Sequence, residues 1–334
     1  MGDCCVVIPA GIRVRTERLT PADLRSLWWA APPLAVLVLA NSMFELVGGA
    51  YAERAFATVT VGAGAPPDAA AIAAGFAWSA TAMVYLVVGL GTAAAMLRIV
   101  RSRVRGVAVR PFRRFALAVI AIGLVHLLIV DGFGLPLGGI FHVTMTGLEA
   151  SGLVMPWRQS AIALVVGAIN VMSVAVPALI VTAAAASALP PLGGWDEASL
   201  VRRVRQVKRV VGVAAAFMVA GVLHMGGWTH WAGALTGMAD LDTLATAVTL
   251  YWGTAFTLMI ASFYLPVASE LRRLAEEEMH RQEIDTGAQA RWLADRDLSF
   301  AVNNQLPQIA AMAAPFLAGP LSEALRAAVG PFAM

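Results

Sequence analysis

The chain has 334 residues, of which 59% are hydrophobic and 13% charged, with a formal net charge of +3 and a mean hydropathy of +0.73. A soluble globular domain carries about 25% charged residues, so this chain cannot clothe a water-facing surface of its size, and lipid is the expected solvent for most of it. The only cysteines are the adjacent Cys4 and Cys5, which excludes a disulfide framework and a cysteine-built zinc site.

The first 26 residues read as a cytoplasmic segment and the start of an interfacial helix. Met1 to Val6 resemble a myristoylation signal, but Val6 stands where Ser or Thr is needed, so Cys4 and Cys5 are taken as unmodified thiols. Pro9 interrupts the early apolar run and Arg13, Arg15 and Arg18 follow it, so no cleavable signal is expected. Thr20-Pro21-Ala22-Asp23 then offers an N-cap, a first-turn proline and an early acidic residue.

A hydrocarbon core about 30 Å thick needs about 20 apolar helical residues. Six stretches meet that length, at about 27–50, 70–97, 115–132, 159–187, 210–235 and 243–266. Residues 51–69, with Gly62, Gly64, Pro66 and Pro67, read as an outer loop. Asp196 or Ser199 can cap a helix that runs through Arg202–Arg209 into the fifth stretch. Residues 267–284 continue the sixth as a charged helix, with a kink expected at Pro266 and an end at Gly287. The apolar run 299–329 is broken by Asn303, Asn304, Pro307, Pro315, Gly319 and Pro320, and is expected as short helices docked beneath the membrane domain or on a partner.

Twenty-two of the 24 basic residues fall before the first stretch, after the second, after the fourth and after the sixth, leaving Arg54 and Arg158 opposite. By the positive-inside rule both termini are cytoplasmic. The expected architecture is therefore an all-α, polytopic six-helix bundle over 27–266 with a helical cytoplasmic tail over 267–334. Lys208 is the only lysine, and with the Ala, Val and Gly content this suggests a bacterial protein of the inner membrane. Basic loops without interleaved aromatics fit topology better than nucleic acid, so lipid, and a protein at the tail, are the expected partners.

No P-loop, dinucleotide-binding glycine fingerprint, His-Glu-x-x-His or Gly-x-Ser-x-Gly occurs. Chemistry must therefore be sought among ionisable residues in or beside the apolar stretches, where charge is costly. Asn41, Glu45, Asp131, His142, Glu149 and His230 fall in the outer half or at the outer mouth, where they could line one outward polar pocket. At 1.5 Å per residue, His126 lies about 18 Å beyond Arg114 and His224 about 22 Å beyond Arg209, at similar depth. Gly123-Leu-Val-His126 echoes Gly221-Val-Leu-His224, and each glycine lies on the face of its histidine. Trp28, Trp29, Trp157, Trp228 and Trp231 are expected in the interfacial aromatic belts.

Two histidines at matched depth on the third and fifth of six helices resemble the six-helix ferric-reductase-like membrane proteins, including the metalloreductases. That resemblance implies a b-type haem held between His126 and His224. It covers the helix number, the orientation and these two positions. Neither helix carries a second histidine suited to a second haem, and no flavin or nicotinamide domain is present, so electrons would come from a partner. Without a catalytic motif, the leading expectation is a non-catalytic accessory, sensor or anchoring component acting through its tail. A haem redox protein and a small transporter using the outer pocket are the alternatives.

Overall fold

The computed structural model describes residues 23–61, 69–104, 109–132, 139–191, 195–296, 298 and 302–329. Among them all regular structure is helical. A short 3-10 helix, Asp23–Ala30, leads into α1 (Ala31–Val61), followed by α2 (Ala69–Arg103), α3 (Val109–Gly132), α4 (Gly139–Ser151), α5 (Pro156–Ser187), α6 (Glu197–Thr236), α7 (Ala239–Arg281), α8 (Thr286–Asp295) and α9 (Val302–Val329). Five segments among the described residues are long and apolar enough to cross a bilayer: Leu27–Gly48, α2, α5, α6 and Asp240–Arg281. They match the first, second, fourth, fifth and sixth expected stretches, and the third forms α3, of 24 residues. A helix satisfies its backbone groups internally, which is what an apolar solvent demands.

The helix ends follow local chemistry. Asp196 caps α6 by accepting from the Ser199 N–H at 2.8 Å, and the Asp196 N–H donates to the Ser199 hydroxyl at 3.0 Å. Gly237, at φ 67°, ends α6 in the left-handed region, where L side chains rarely sit. Only Gly237 and Met238 separate α6 from α7. Just after the C-terminal end of α5, the buried Arg203 of α6 donates to the Leu189 carbonyl at 2.9 Å, covering a carbonyl beyond the helix with a cation.

The centre of the bundle is α6, which packs on α2, α4, α7 and α9. Glycines bring the backbones close. A Cβ at Gly75 would meet Trp231 at 3.0 Å, and one at Gly227 would meet the Trp78 backbone at 3.3 Å, so α2 and α6 run antiparallel in near contact. Arg103 at the far end of α2 donates to Gln206 of α6 at 2.8 Å. The same antiparallel relation joins α6 to α7, with Gly226 against Thr249 and Gly233 against Leu241 and Asp242.

Four features differ from the sequence reading. First, α1 continues through the outer segment to Val61. Second, the region between the third and fourth stretches contains α4, which at 13 residues is too short to register as a span. Its Thr144 hydroxyl donates to the Trp228 carbonyl at 2.8 Å, and Val143 and Leu148 are buried. Third, α7 runs unbroken past Pro266 and stops at Arg281, while Gly287 lies in the first turn of α8. Fourth, 302–329 forms one helix of 28 residues, with all three prolines inside it, packed along α6 and α7. Prolines are tolerated where neighbouring helices compensate the lost backbone bonds, and here α7 lies against the proline-rich stretch.

Trp228 and Trp231 also leave the expected aromatic belt. Both are buried and contact Trp78, with ring centroids 5.0 and 5.2 Å away. Trp28 and Trp157 are exposed, as interfacial side chains would be.

Candidate functional site

His230 stands on α6 under two turns before Gly237. The two-residue link returns the chain at once, so the first turn of α7 arrives beside it carrying Asp242. Gly233 makes room: a Cβ there would lie 3.1 Å from Asp242 Oδ1. Asp242 Oδ1 comes within 2.8 Å of His230 Nδ1. The second ring nitrogen, Nε2, lies 2.8 Å from Glu323 Oε1 of α9. An acidic residue in the first turn of α7 is also favoured by the positive end of the helix dipole.

Three helices thus converge on one imidazole. The His230 side chain is 6% exposed, Glu323 28% and Asp242 61%. Water therefore reaches the group through Asp242, while the ring is sheltered. Proton counting constrains the state. A neutral imidazole has one N–H and one bare nitrogen, and a carboxylate only accepts. Two hydrogen bonds to two carboxyl groups need two protons on the three side chains. These are either an imidazolium with two carboxylates, or an imidazole with one carboxylic acid. Removing one proton sets a nitrogen lone pair against a carboxylate and ends one of the two contacts.

Arg326 lies one turn beyond Glu323 on α9, its side chain outside the described residues; among the described side chains the elements packed on α6 here bring few other charges. On α7, Asp240 is exposed, and on α4, His142 and Glu149 are exposed. Of the six residues expected to line an outer pocket, His230 enters a buried cluster, Asn41 is half-buried on α1, and His142 and Glu149 lie on the surface of α4. The side chains of Glu45 and Asp131 lie outside the described residues. Asp242 and Glu323, which complete the cluster, were absent from the sequence-based set. Asp242 could have been found from its place at the mouth of the sixth stretch. Glu323 required α9 to be laid against α7.

His126 is on α3, and its side chain lies outside the described residues. His224 is buried on α6, stacked on Tyr85 at 5.6 Å with Trp78 at 6.1 Å, and its Nδ1 has no hydrogen-bond partner. Side chains from other helices pack on the glycine that shares each histidine's face. A Cβ at Gly221 would meet Tyr85 at 3.3 Å and Phe256 at 3.5 Å, and one at Gly123 would meet Val174 at 2.2 Å. Helix α3 makes its extensive contact with α5. The described residues do not gather three or more metal-ligating side chains.

At the opposite end of the same helices, Glu197 opening α6 pairs with Arg296 at 2.7 Å, and Arg281 closing α7 donates to the Trp195 carbonyl at 3.2 Å. The Arg296 guanidinium lies 4.5 Å over the Trp292 ring of α8. Helices α6 and α7 therefore link the His230 cluster directly to α8. No protein-family model, characterised protein or solved structure matches this chain.

Proposed function

We propose that this is a non-catalytic sensor or accessory component of the bacterial inner membrane that responds to protons at its outer face. The observation that carries the reading is the sheltered His230 imidazole between Asp242 and Glu323, on three different helices. Loss of one proton would release either Asp242 from α6 or Glu323 of α9. The response has a path inward. From His230 to Glu197 is 33 residues of one unbroken helix, about 50 Å at 1.5 Å per residue, which exceeds a hydrocarbon core of about 30 Å. Helix α7 runs the same course in reverse, to Arg281. By the distribution of basic residues, the α8 end is cytoplasmic. The output surface is then the inner ends of α6 and α7 with α8, rather than a free apolar tail.

The test is a step in external pH on protein oriented in vesicles, with Cys4 and Cys5 changed to Ser and an environment-sensitive fluorophore on an Ala290→Cys variant in α8. The signal should follow external pH in the parent protein and become flat in His230→Gln. A signal indifferent to external pH would remove the sensor reading. A small transporter using the same outer residues is separated by proton flux across those vesicles, which a sensor does not support.

A further inference from the structure

We infer that α9 crosses the membrane as an additional long helix, so that α8 and the C-terminus lie on opposite sides. The inference is independent of the proton reading. Three contacts mark the course of α9 along α7, and a fourth joins its end to α6. Near its start, Gln305 accepts a hydrogen bond from the Tyr264 hydroxyl. At its middle, the Pro315–Phe316 backbone lies so close to Gly253 that a Cβ there would fall 2.5 Å from the Pro315 carbonyl oxygen. One turn on, Gly319 faces Thr249, where a Cβ would meet its hydroxyl at 2.9 Å. Near its end, Glu323 reaches His230, beside Asp242.

As α9 numbering rises from 305 to 319, its α7 partners fall from 264 to 249. The two helices are antiparallel, and α9 returns along the length of a helix that itself has the composition of a span. The 18 residues from Gln305 to Glu323 rise about 27 Å, close to the thickness of a hydrocarbon core. No ionisable residue occurs between 302 and 323. The polar side chains stand at the two ends of this run, as they would in a spanning helix. Helix α9 is less apolar than the five long segments, and its crossing rests on its packing. Pro315 is buried against Gly253 of α7, and neighbouring helices can satisfy what a proline leaves unbonded, while Pro307 and Pro320 are exposed near the two ends of the run. Glycines at 253 and 319 allow the close backbone approach by which helices associate in lipid. Placing Arg326 opposite the cytoplasmic loops leaves the basic residues divided 21 to 3, still a strong positive-inside asymmetry.

The experiment compares two single cysteines in the full chain with Cys4 and Cys5 changed to Ser: Ala290→Cys in α8 and Ala333→Cys near the C-terminus. Intact cells are treated with a membrane-impermeant maleimide, then compared with permeabilised cells. We expect Ala333→Cys to be labelled in intact cells and Ala290→Cys only after permeabilisation. The same accessibility for both in intact cells would overturn the inference. If Ala333→Cys resists labelling even after permeabilisation, alkaline phosphatase fused after Met334 decides. Activity is expected, and an inactive phosphatase with a fluorescent cytoplasmic reporter at the same position would overturn the crossing.

Discussion

Substituting Gly253→Ala probes the seam between α7 and α9 directly. The new Cβ would lie 2.5 Å from the Pro315 carbonyl oxygen, 3.0 Å from Phe316 Cα and 3.1 Å from the Pro315 carbonyl carbon. All three are backbone atoms, so no side chain can swing aside. Ordinary contact begins near 3.4 Å, and α9 must therefore retreat by roughly 0.9 Å to reach it. Overpacking of this kind costs about 1–3 kcal/mol. Replacing glycine by alanine within a helix returns about 0.5–1 kcal/mol. Gly91 and Gly212 are suitable controls, because they are helical and a Cβ at either meets nothing within 4 Å. Gly91→Ala and Gly212→Ala should keep or gain stability, while Gly253→Ala should fall below them by about 1–3 kcal/mol in thermal or denaturant unfolding in detergent. The retreat would also stretch the His230–Glu323 contact beyond its 2.8 Å. A Gly253→Ala protein as stable as the controls would refute the close packing of α9 on α7.

Other consequences are testable in the same preparations. Thr144→Val keeps the shape of a buried side chain but removes its hydrogen bond to the Trp228 carbonyl; unfolding should show a loss of about 1 kcal/mol, and no loss would mean that α4 is not held there. Hydrogen bonds from Ser199, its hydroxyl first and then its N–H, hold the Asp196 carboxyl below the ordinary aspartate value. The cap therefore contributes above the unfolded-state value, about 4, and is lost as pH falls through the lower folded value. Once intrinsic exchange is divided out, protection of the Ser199 N–H should fall only in acid, and Asp196→Asn should remove that pH dependence; an acid loss of protection that survives in the Asn variant would contradict this. Protein purified from haem-supplied cells should give a reduced-minus-oxidised difference spectrum without a haem band, because Tyr85, Phe256 and Val174 pack on Gly221 and Gly123; a haem band lost in His224→Ala would show that those side chains move aside.

The long apolar helices were legible because length and apolarity are local quantities that lipid reads directly. The ends of α6 were legible for a similar reason: Asp196, Ser199 and Gly237 act on backbone groups within one turn. Helix α4 was hidden by its brevity, since its burial depends on α1 and α6. The continuity of α9 was hidden by Asn303, Asn304, Pro307, Pro315 and Pro320, which argue against a helix in isolation. Pro315 and Gly319 pack on Gly253 and Thr249, tertiary contacts that no local pattern records. His230 was recognisable as an ionisable residue at the outer mouth, but its partners were not. Asp242 is 12 residues away, and Glu323 is 93 residues away on α9. Trp228 and Trp231 illustrate the converse. Their position near an apolar boundary suggested an interface, whereas Gly75 and Gly227 of facing helices admit them to the core.

Nitrogen-15 resonances of the five histidines, followed across pH in the detergent-solubilised protein, test the proton site most directly. Each imidazole nitrogen reports whether it carries a proton, and His230→Gln identifies the resonance. For His230 we predict both nitrogens protonated, or exchanging a proton with a carboxyl group, at the acid end of the range. One pH transition should then take away a single proton and perturb the neighbouring Trp231. In Glu323→Gln the amide can donate to a bare Nε2 or, turned over, accept from Nε2–H, so no carboxylate faces a lone pair after proton loss and both protonation states keep the contact. The transition in that variant should therefore differ from wild type. A wild-type His230 that holds one proton at every pH where the protein is folded, or a transition unchanged in Glu323→Gln, would contradict the assignment of this trio as the proton-responsive site.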